Sequence, residues 1–145
     1  MARVTAERAR LLRLLGAVPL FSELKGKELD AIADIGYETT WTPGQPIVKR
    51  GQRGIGFLLI LEGSAEVVKG GKRVATVKAG GFFGEMAVFD DKPRSADVVA
   101  AEPTRCFGIP SWSFFPMLES NPSVAVGIIG ELVRRLRRLD ETRKD

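Results

Sequence analysis

Between Gly80 and Ala96 the chain reads Gly-Gly-Phe-Phe-Gly-Glu-Met-Ala-Val-Phe-Asp-Asp-Lys-Pro-Arg-Ser-Ala, and this stretch concentrates the residues able to do chemistry. Glycines come first, and without a Cβ they let backbone amides approach a ligand that a side chain would fend off. Glu85 to Phe89 has the length of one short helical turn, whose first N–H groups lack internal partners and point outward, where an anion can meet them. Asp91 to Pro93 is turn chemistry that brings Arg94 back toward the same spot. The planar fork of an arginine suits a phosphate better than the point charge of a lysine. Glu85 next to a phosphate makes sense if the ligand also carries hydroxyls, which a carboxylate accepts. A small ligand with one anionic phosphate and one sugar hydroxyl fits this combination, and that describes a nucleotide.

The rest of the chain must position this stretch. Residues 3 to 15 mix Val4, Ala9, Leu11, Leu12, Leu14 and Leu15 with arginine and glutamate, a helical pattern with Thr5 as its N-cap and Gly16 and Pro19 as its stop. A second helix is expected from about Gly26 to Ile35, with Leu29, Ile32, Ala33 and Ile35 on its apolar face and Gly36 ending it. From Tyr37 the period changes to strands punctuated by glycine and proline. They are expected over Tyr37 to Thr42, Pro46 to Lys49, Ile55 to Leu61, Ala65 to Lys69, Arg73 to Val77, Ala96 to Ala101 and Thr104 to Ile109. Ile55 to Leu61 is continuously apolar, as in a strand covered on both faces. Two β-rich runs around Gly70-Gly71 make a hairpin. Ser111 is expected to cap a short helix through Leu118, and Pro122 to open a longer one through Glu141. The fold class is mainly β with flanking helices, a jelly-roll-like eight-stranded β-roll with an N-terminal helical pair and C-terminal helices.

Gly84-Glu85-Met86-Ala87 followed by Pro93-Arg94-Ser95-Ala96 resembles the phosphate-binding cassette of the cyclic nucleotide-binding domain family. That family includes the catabolite activator protein of bacteria, the regulatory subunits of cyclic-AMP-dependent kinase and the cyclic-nucleotide-gated channels. Its members open with the same helical pair, and the glycines at 51, 63 and 84 fall where it places its turn glycines. Gln52 and Gly56 stand where relatives commonly carry acidic residues. The resemblance implies cyclic AMP or cyclic GMP as ligand and no further cofactor. Arg94 would pair the cyclic phosphate, with the amides of Ala87 and Ser95 as added donors. Glu85 and the Gly84 carbonyl would take the ribose 2′-hydroxyl, with Met86 in the same cassette. Val67, Val74, Ala75 and Val77 sit on the hairpin strands that would line the purine, although a plain core role is equally natural for them. Arg135 on the last helix would lie over the base as a lid. A serine at the position of Ser95 occurs in bacterial receptors for cyclic AMP, and an apolar lining favours cyclic AMP over cyclic GMP.

Composition narrows the alternatives. At 145 residues the expected organisation is one domain, with a helical segment at 1–36, a β-roll at 37–110 holding the cassette at 80–96, and C-terminal helices at 111–145. The absence of histidine removes Ser-His and Cys-His nucleophiles and His-ligated metals, closing the route taken by the many histidine-built metal enzymes among the similarly folded cupins. The chain is read as a non-enzyme. One cysteine, Cys106, permits no internal disulfide, and no apolar run or signal peptide points to a membrane, so a cytoplasmic protein is expected. Net charge of +4 invites a nucleic-acid reading. The run Arg134-Arg135-Leu136-Arg137-Arg138 is diluted by Asp140, Glu141 and Asp145, however, and has no interleaved aromatic for base stacking. Ile129, Leu132, Leu136 and Leu139 form a coiled-coil-like seam, read either as barrel packing or as a homodimer contact within 122–141. No DNA-binding domain is recognised. The chain reads as a free-standing sensor with an unidentified downstream partner or as a module of something longer. The competing reading is a scaffold that keeps the fold without a ligand.

Overall fold

The computed structural model describes residues 2–53, 56–90 and 92–143; Ile55, Asp91 and Asp145, each used in the sequence reading, lie outside them. The chain forms two compact units, Ile35–Phe115 and Met1–Asp34 together with Pro116–Asp145. The three segments expected from sequence therefore regroup, because both ends of the chain contribute to one unit.

The first unit holds eight strands in two four-stranded antiparallel sheets. The strands are β1 (Tyr37–Trp41), β2 (Pro46–Val48), β3 (Phe57–Glu62), β4 (Ser64–Lys69), β5 (Lys72–Lys78), β6 (Phe82–Phe83), β7 (Asp97–Ala100) and β8 (Thr104–Ile109). One sheet is ordered β1-β8-β3-β6 and the other β2-β7-β4-β5. Phe57 to Leu61 of β3 are all buried, as a continuously apolar strand requires. The eighth strand, β6, is the element for which periodicity offered no range. Two residues inside a glycine-rich stretch show no alternation, and only pairing with Leu58 and Leu59 of β3 makes them a strand. The β4–β5 hairpin turns on Gly70 and Gly71, with φ of 56° and 79°, the two successive positive values a tight hairpin turn demands.

Ile47, Val48, Leu58, Ile60, Ala65, Val98, Ala100 and Cys106 form a buried cluster of this unit, with Trp41, Val67, Val77 and Phe83 packed against it. Burial pushes the Cys106 thiol up to about 11, so it stays protonated and inert.

The second unit contains α1 (Ala2–Gly16), a 3-10 turn at Pro19–Phe21, α2 (Gly26–Asp34) and α4 (Pro122–Arg143). Thr5 is not an N-cap, since α1 begins at Ala2 and runs through it. Likewise Ser111 is the first residue of α3 (Ser111–Ser120) rather than its cap. Val124, Ile128 and Glu131 share the buried face of α4, at spacings of four and three. The apolar residues left exposed are Val126, Ile129, Val133, Leu136 and Leu139. The open stripe thus starts earlier than the expected seam and uses Val133, because Leu132 turns partly inward with the buried face.

Candidate functional site

The cassette folds as the glycines dictate. Gly84 has φ of 76°, a left-handed turn that a side chain rarely adopts, and a Cβ there would overlap the Arg94 guanidinium and the Gly56 carbonyl. The chain then makes a single 3-10 turn, Glu85–Val88, with Glu85 at its head and Val88 buried below. Its tighter winding corrects one expectation. The Ala87 amide donates to the Gly84 carbonyl at 3.0 Å, so this N–H closes the turn rather than pointing outward. The Gly84 carbonyl keeps a second lone pair for a hydroxyl. Glu85 is half-buried and one of its carboxylate oxygens is fully so, while Met86 is exposed.

Arg94 is held from both sides of the peptide chain. Its amide donates to the Gln52 carbonyl at 3.0 Å, and its own carbonyl accepts from the Gly51 amide at 2.8 Å. Its side chain is half-buried, and Nη2 donates to the Gly56 carbonyl. The two departures from the resembled family, Gln52 and Gly56, therefore lie directly against this arginine through their backbones. Neither contact needs an acidic side chain, which explains how the arginine is positioned without one.

Two hollows meet at Arg94 and Ser95. One, of about 200 Å³, opens among Met86, Ala87, Asp90, Lys92 and Pro93. The other, of about 240 Å³, has an apolar wall of Val48, Val67, Phe83, Ala96 and Val98, with Lys69 beside it. Arg94 and Ser95 line both hollows; the first adds the paired charges of Asp90 and Lys92, and the second a mainly apolar wall. A cation thus stands beside an apolar surface, as a ligand with an anionic and a flat apolar part needs.

Of the expected hairpin lining, Val67 faces this second hollow and Val77 packs on the core. Val74 and Ala75 are exposed and lie outside the lining, among the described residues. Val67 pairs with Ala75 but Val68 pairs with Arg73, leaving Val74 as an extra residue bulged out of β5. Ala75, opposite Val67, is exposed because β5 is the edge strand of its sheet. Arg135 sits on α4 with Nε 3.5 Å from Glu131 Oε1. Phe83, Val98 and Lys69 were missed by sequence reasoning. Alternation along β4 could have flagged Lys69, since it shares a face with Ala65 and Val67. Among the described residues no group of His, Cys, Asp and Glu side chains is placed to hold a metal, and no helix is long and apolar enough to cross a membrane.

Known proteins with this arrangement are abundant. A cyclic AMP-dependent protein kinase regulatory subunit of Yarrowia lipolytica is 40% identical over 88 residues, which is 59% of this chain and 24% of that protein. A cyclic GMP-dependent protein kinase of Eimeria tenella is 35% identical over 97 residues, 67% of this chain and 10% of that protein. The chain thus spans a quarter or less of the length of these relatives. The Thermus thermophilus catabolite activator protein superposes with a TM-score of 0.66 at 29% identity, over 87% of this chain and 62% of that one. The N-terminal domain of a transcriptional regulator from Streptomyces coelicolor A3(2) shares the fold with a TM-score of 0.82 at 23% identity, over 90% of this chain and 94% of that one. The family model for the cyclic nucleotide-binding domain matches residues 38–121, a span that takes in all the strands but the first residue of β1, both hollows, Glu85 and Arg94. On the strength of that match, this chain belongs to the cyclic nucleotide-binding domain family.

Proposed function

We propose that this chain is a non-enzymatic cytoplasmic sensor that binds a cyclic nucleotide, prefers cyclic AMP and signals through movement of α4. The observation that carries the binding reading is the position of Arg94 and Ser95 where two hollows meet, the second of them with a mainly apolar wall. In this reading Arg94 and the Ser95 amide take the phosphate, and Glu85 with the Gly84 carbonyl takes the ribose hydroxyl. The purine lies against Val67 and its neighbours. A ligand-free scaffold is the second reading, but it gives no use to the two hollows that meet at Arg94 and Ser95.

The names of the relatives include both nucleotides and so leave the base open. Cyclic AMP is favoured here by the wall of Val48, Val67, Phe83, Ala96 and Val98, which carries no hydrogen-bonding side chain for a guanine edge and leaves Arg94, Ser95 and Lys69 as the polar groups beside it. An unmet polar group costs about 1–3 kcal/mol. Isothermal titration is expected to give a micromolar or tighter dissociation constant for cyclic AMP, about 8 kcal/mol or more, with cyclic GMP weaker by about tenfold. Tighter cyclic GMP would overturn the base preference. Ser95→Ala changing the order would identify that serine as the reader.

The signal would run through α4. Closing it over the ligand, with Arg135 on the purine as a cation over an aromatic face, favours the bound state only by the difference in affinity between open and closed forms. The exposed stripe of Val126, Ile129, Val133 and Leu136 has the three-four-three spacing of a helix-pairing seam, and a hollow of about 450 Å³ lies along its end by Val133, Leu136 and Leu139. A homodimer through α4 is the proposed assembly, with a downstream protein partner reading its state. Val133→Asp with Leu136→Asp is expected to convert a dimer to a monomer in sedimentation. A wild-type protein that is monomeric at tens of micromolar would remove the seam.

A further inference from the structure

The apolar hollow carries a cation that the nucleotide reading leaves without a task. Lys69 lines it together with Arg94, Ser95 and Ala96. Register explains why a strand-end lysine comes so close to the cassette. Val67 pairs with Val98 and Val68 with Asp97 across β4 and β7, so the next step of the same antiparallel ladder sets Lys69 opposite Ala96, immediately beyond which lie Ser95 and Arg94. The bulge at Val74 is on β5, so β4 keeps its alternation and Lys69 stays on the face of Ala65 and Val67. The lone carboxylate of the hairpin, Glu66, is on the other face and is taken by Arg73 at 3.3 Å.

Charge counting gives the lysine a role. Arg94 and Glu85 cancel, as do Lys92 and Asp90, paired at 3.5 Å, so a singly anionic ligand would leave the site with one unbalanced negative charge. A second cation restores neutrality. Lys69 stands at the strand position nearest the anion-binding end, and Lys72 opposite it across the hairpin adds positive potential at the tip. An exposed lysine acts at a distance as a point charge that attracts an anion, where the arginine fork supplies the directional bonds.

We propose that Lys69 is a second phosphate-directed cation of this site, drawing in the anionic end of the ligand and balancing its charge beside Arg94. The proposal rests on the cyclic-nucleotide reading. Its mark is indifference to the base, because a residue directed at the phosphate must serve cyclic AMP and cyclic GMP alike.

The test is stopped-flow and equilibrium binding of both nucleotides to wild type, Lys69→Gln, Lys69→Glu, Lys69→Arg and Lys72→Gln, at low and high salt. Lys69→Gln is expected to weaken both nucleotides by about fivefold at low salt, mainly through slower association, and the loss should shrink as salt screens the charge. Lys69→Glu should lose more, Lys69→Arg should stay near wild type, and Lys72→Gln should lose less than Lys69→Gln. Unchanged affinity in Lys69→Gln, or a loss confined to one base, overturns the role of Lys69 and leaves the binding reading standing. Wild-type protein that binds neither nucleotide removes the reading itself, and this proposal with it. Thermal melts of the variants separate these outcomes from misfolding.

Discussion

Arg94→Ala is expected to weaken cyclic nucleotide binding by about 2–4 kcal/mol, the cost of leaving a buried phosphate charge without its partner. The loss should appear without unfolding. The backbone of Arg94 is held by the Gln52 carbonyl and the Gly51 amide, and neither bond involves its side chain. Its side chain donates to the Gly56 carbonyl, an acceptor that a water can replace at a half-buried position. Arg94→Lys should fall between the two, because an ammonium keeps the charge but not the fork. Titration calorimetry on proteins with matching melting temperatures checks this. Equal affinity in wild type and Arg94→Ala would rule out the cassette as the anion site.

The largest expected effect on stability lies in the other unit, at Glu131. This carboxylate is 6% exposed on the inward face of α4, among Val124 and Ile128. Arg134 Nε reaches its Oε2 at 3.2 Å, and Arg138 Nη2 reaches its Oε1 at 3.3 Å. Arg135 and the Ser22 hydroxyl also lie within 3.5 Å of its oxygens, and Glu23 takes Arg134 at 2.8 Å. Burial by itself would raise the carboxyl group, but the hydrogen bonds from Arg138 and Arg134 outweigh it and hold Glu131 below its ordinary value.

Removing the carboxylate leaves three arginines crowded without their shared anion. Glu131→Ala should therefore cost about 3 kcal/mol, or roughly 10 °C in melting temperature for a chain of this size. The pH dependence follows from the depressed folded-state value. The charge of Glu131 stabilises the fold fully above its ordinary value of 4.5, and this contribution is lost as pH falls below that value through the folded one. Glu131→Gln should therefore trail wild type at neutral pH and converge with it under acid conditions. Parallel stability curves, with a constant gap down to acid pH, would show that the effect is packing and not charge.

Residue types in chain order made the cassette legible. Glycine before a carboxylate-headed turn, a proline turn and an arginine are local features, and local backbone preference places them where they stand. The hairpin was equally legible, because Gly70-Gly71 between β-rich runs has few other conformations. β6 was not legible, since two phenylalanines become a strand only by pairing with β3. Pattern alone also exposed the four arginines of α4 while hiding that Glu131 is buried among them, because burial depends on which face the rest of the unit covers.

The sequence by itself determined the family, the order of the helices and of every strand but β6, and the glycine, carboxylate and arginine pattern of the cassette, since each is carried by neighbouring residues. Only the tertiary structure decided which hairpin residues line the hollow at Arg94. Alternation tells that every second side chain shares a face but not which face is inward, and a single bulge at Val74 changes the phase of β5 without a trace in composition. It also took the ladder between β4 and β7 to bring Lys69 beside Arg94. Such cross-strand neighbours are set by register, and register is a property of the whole sheet.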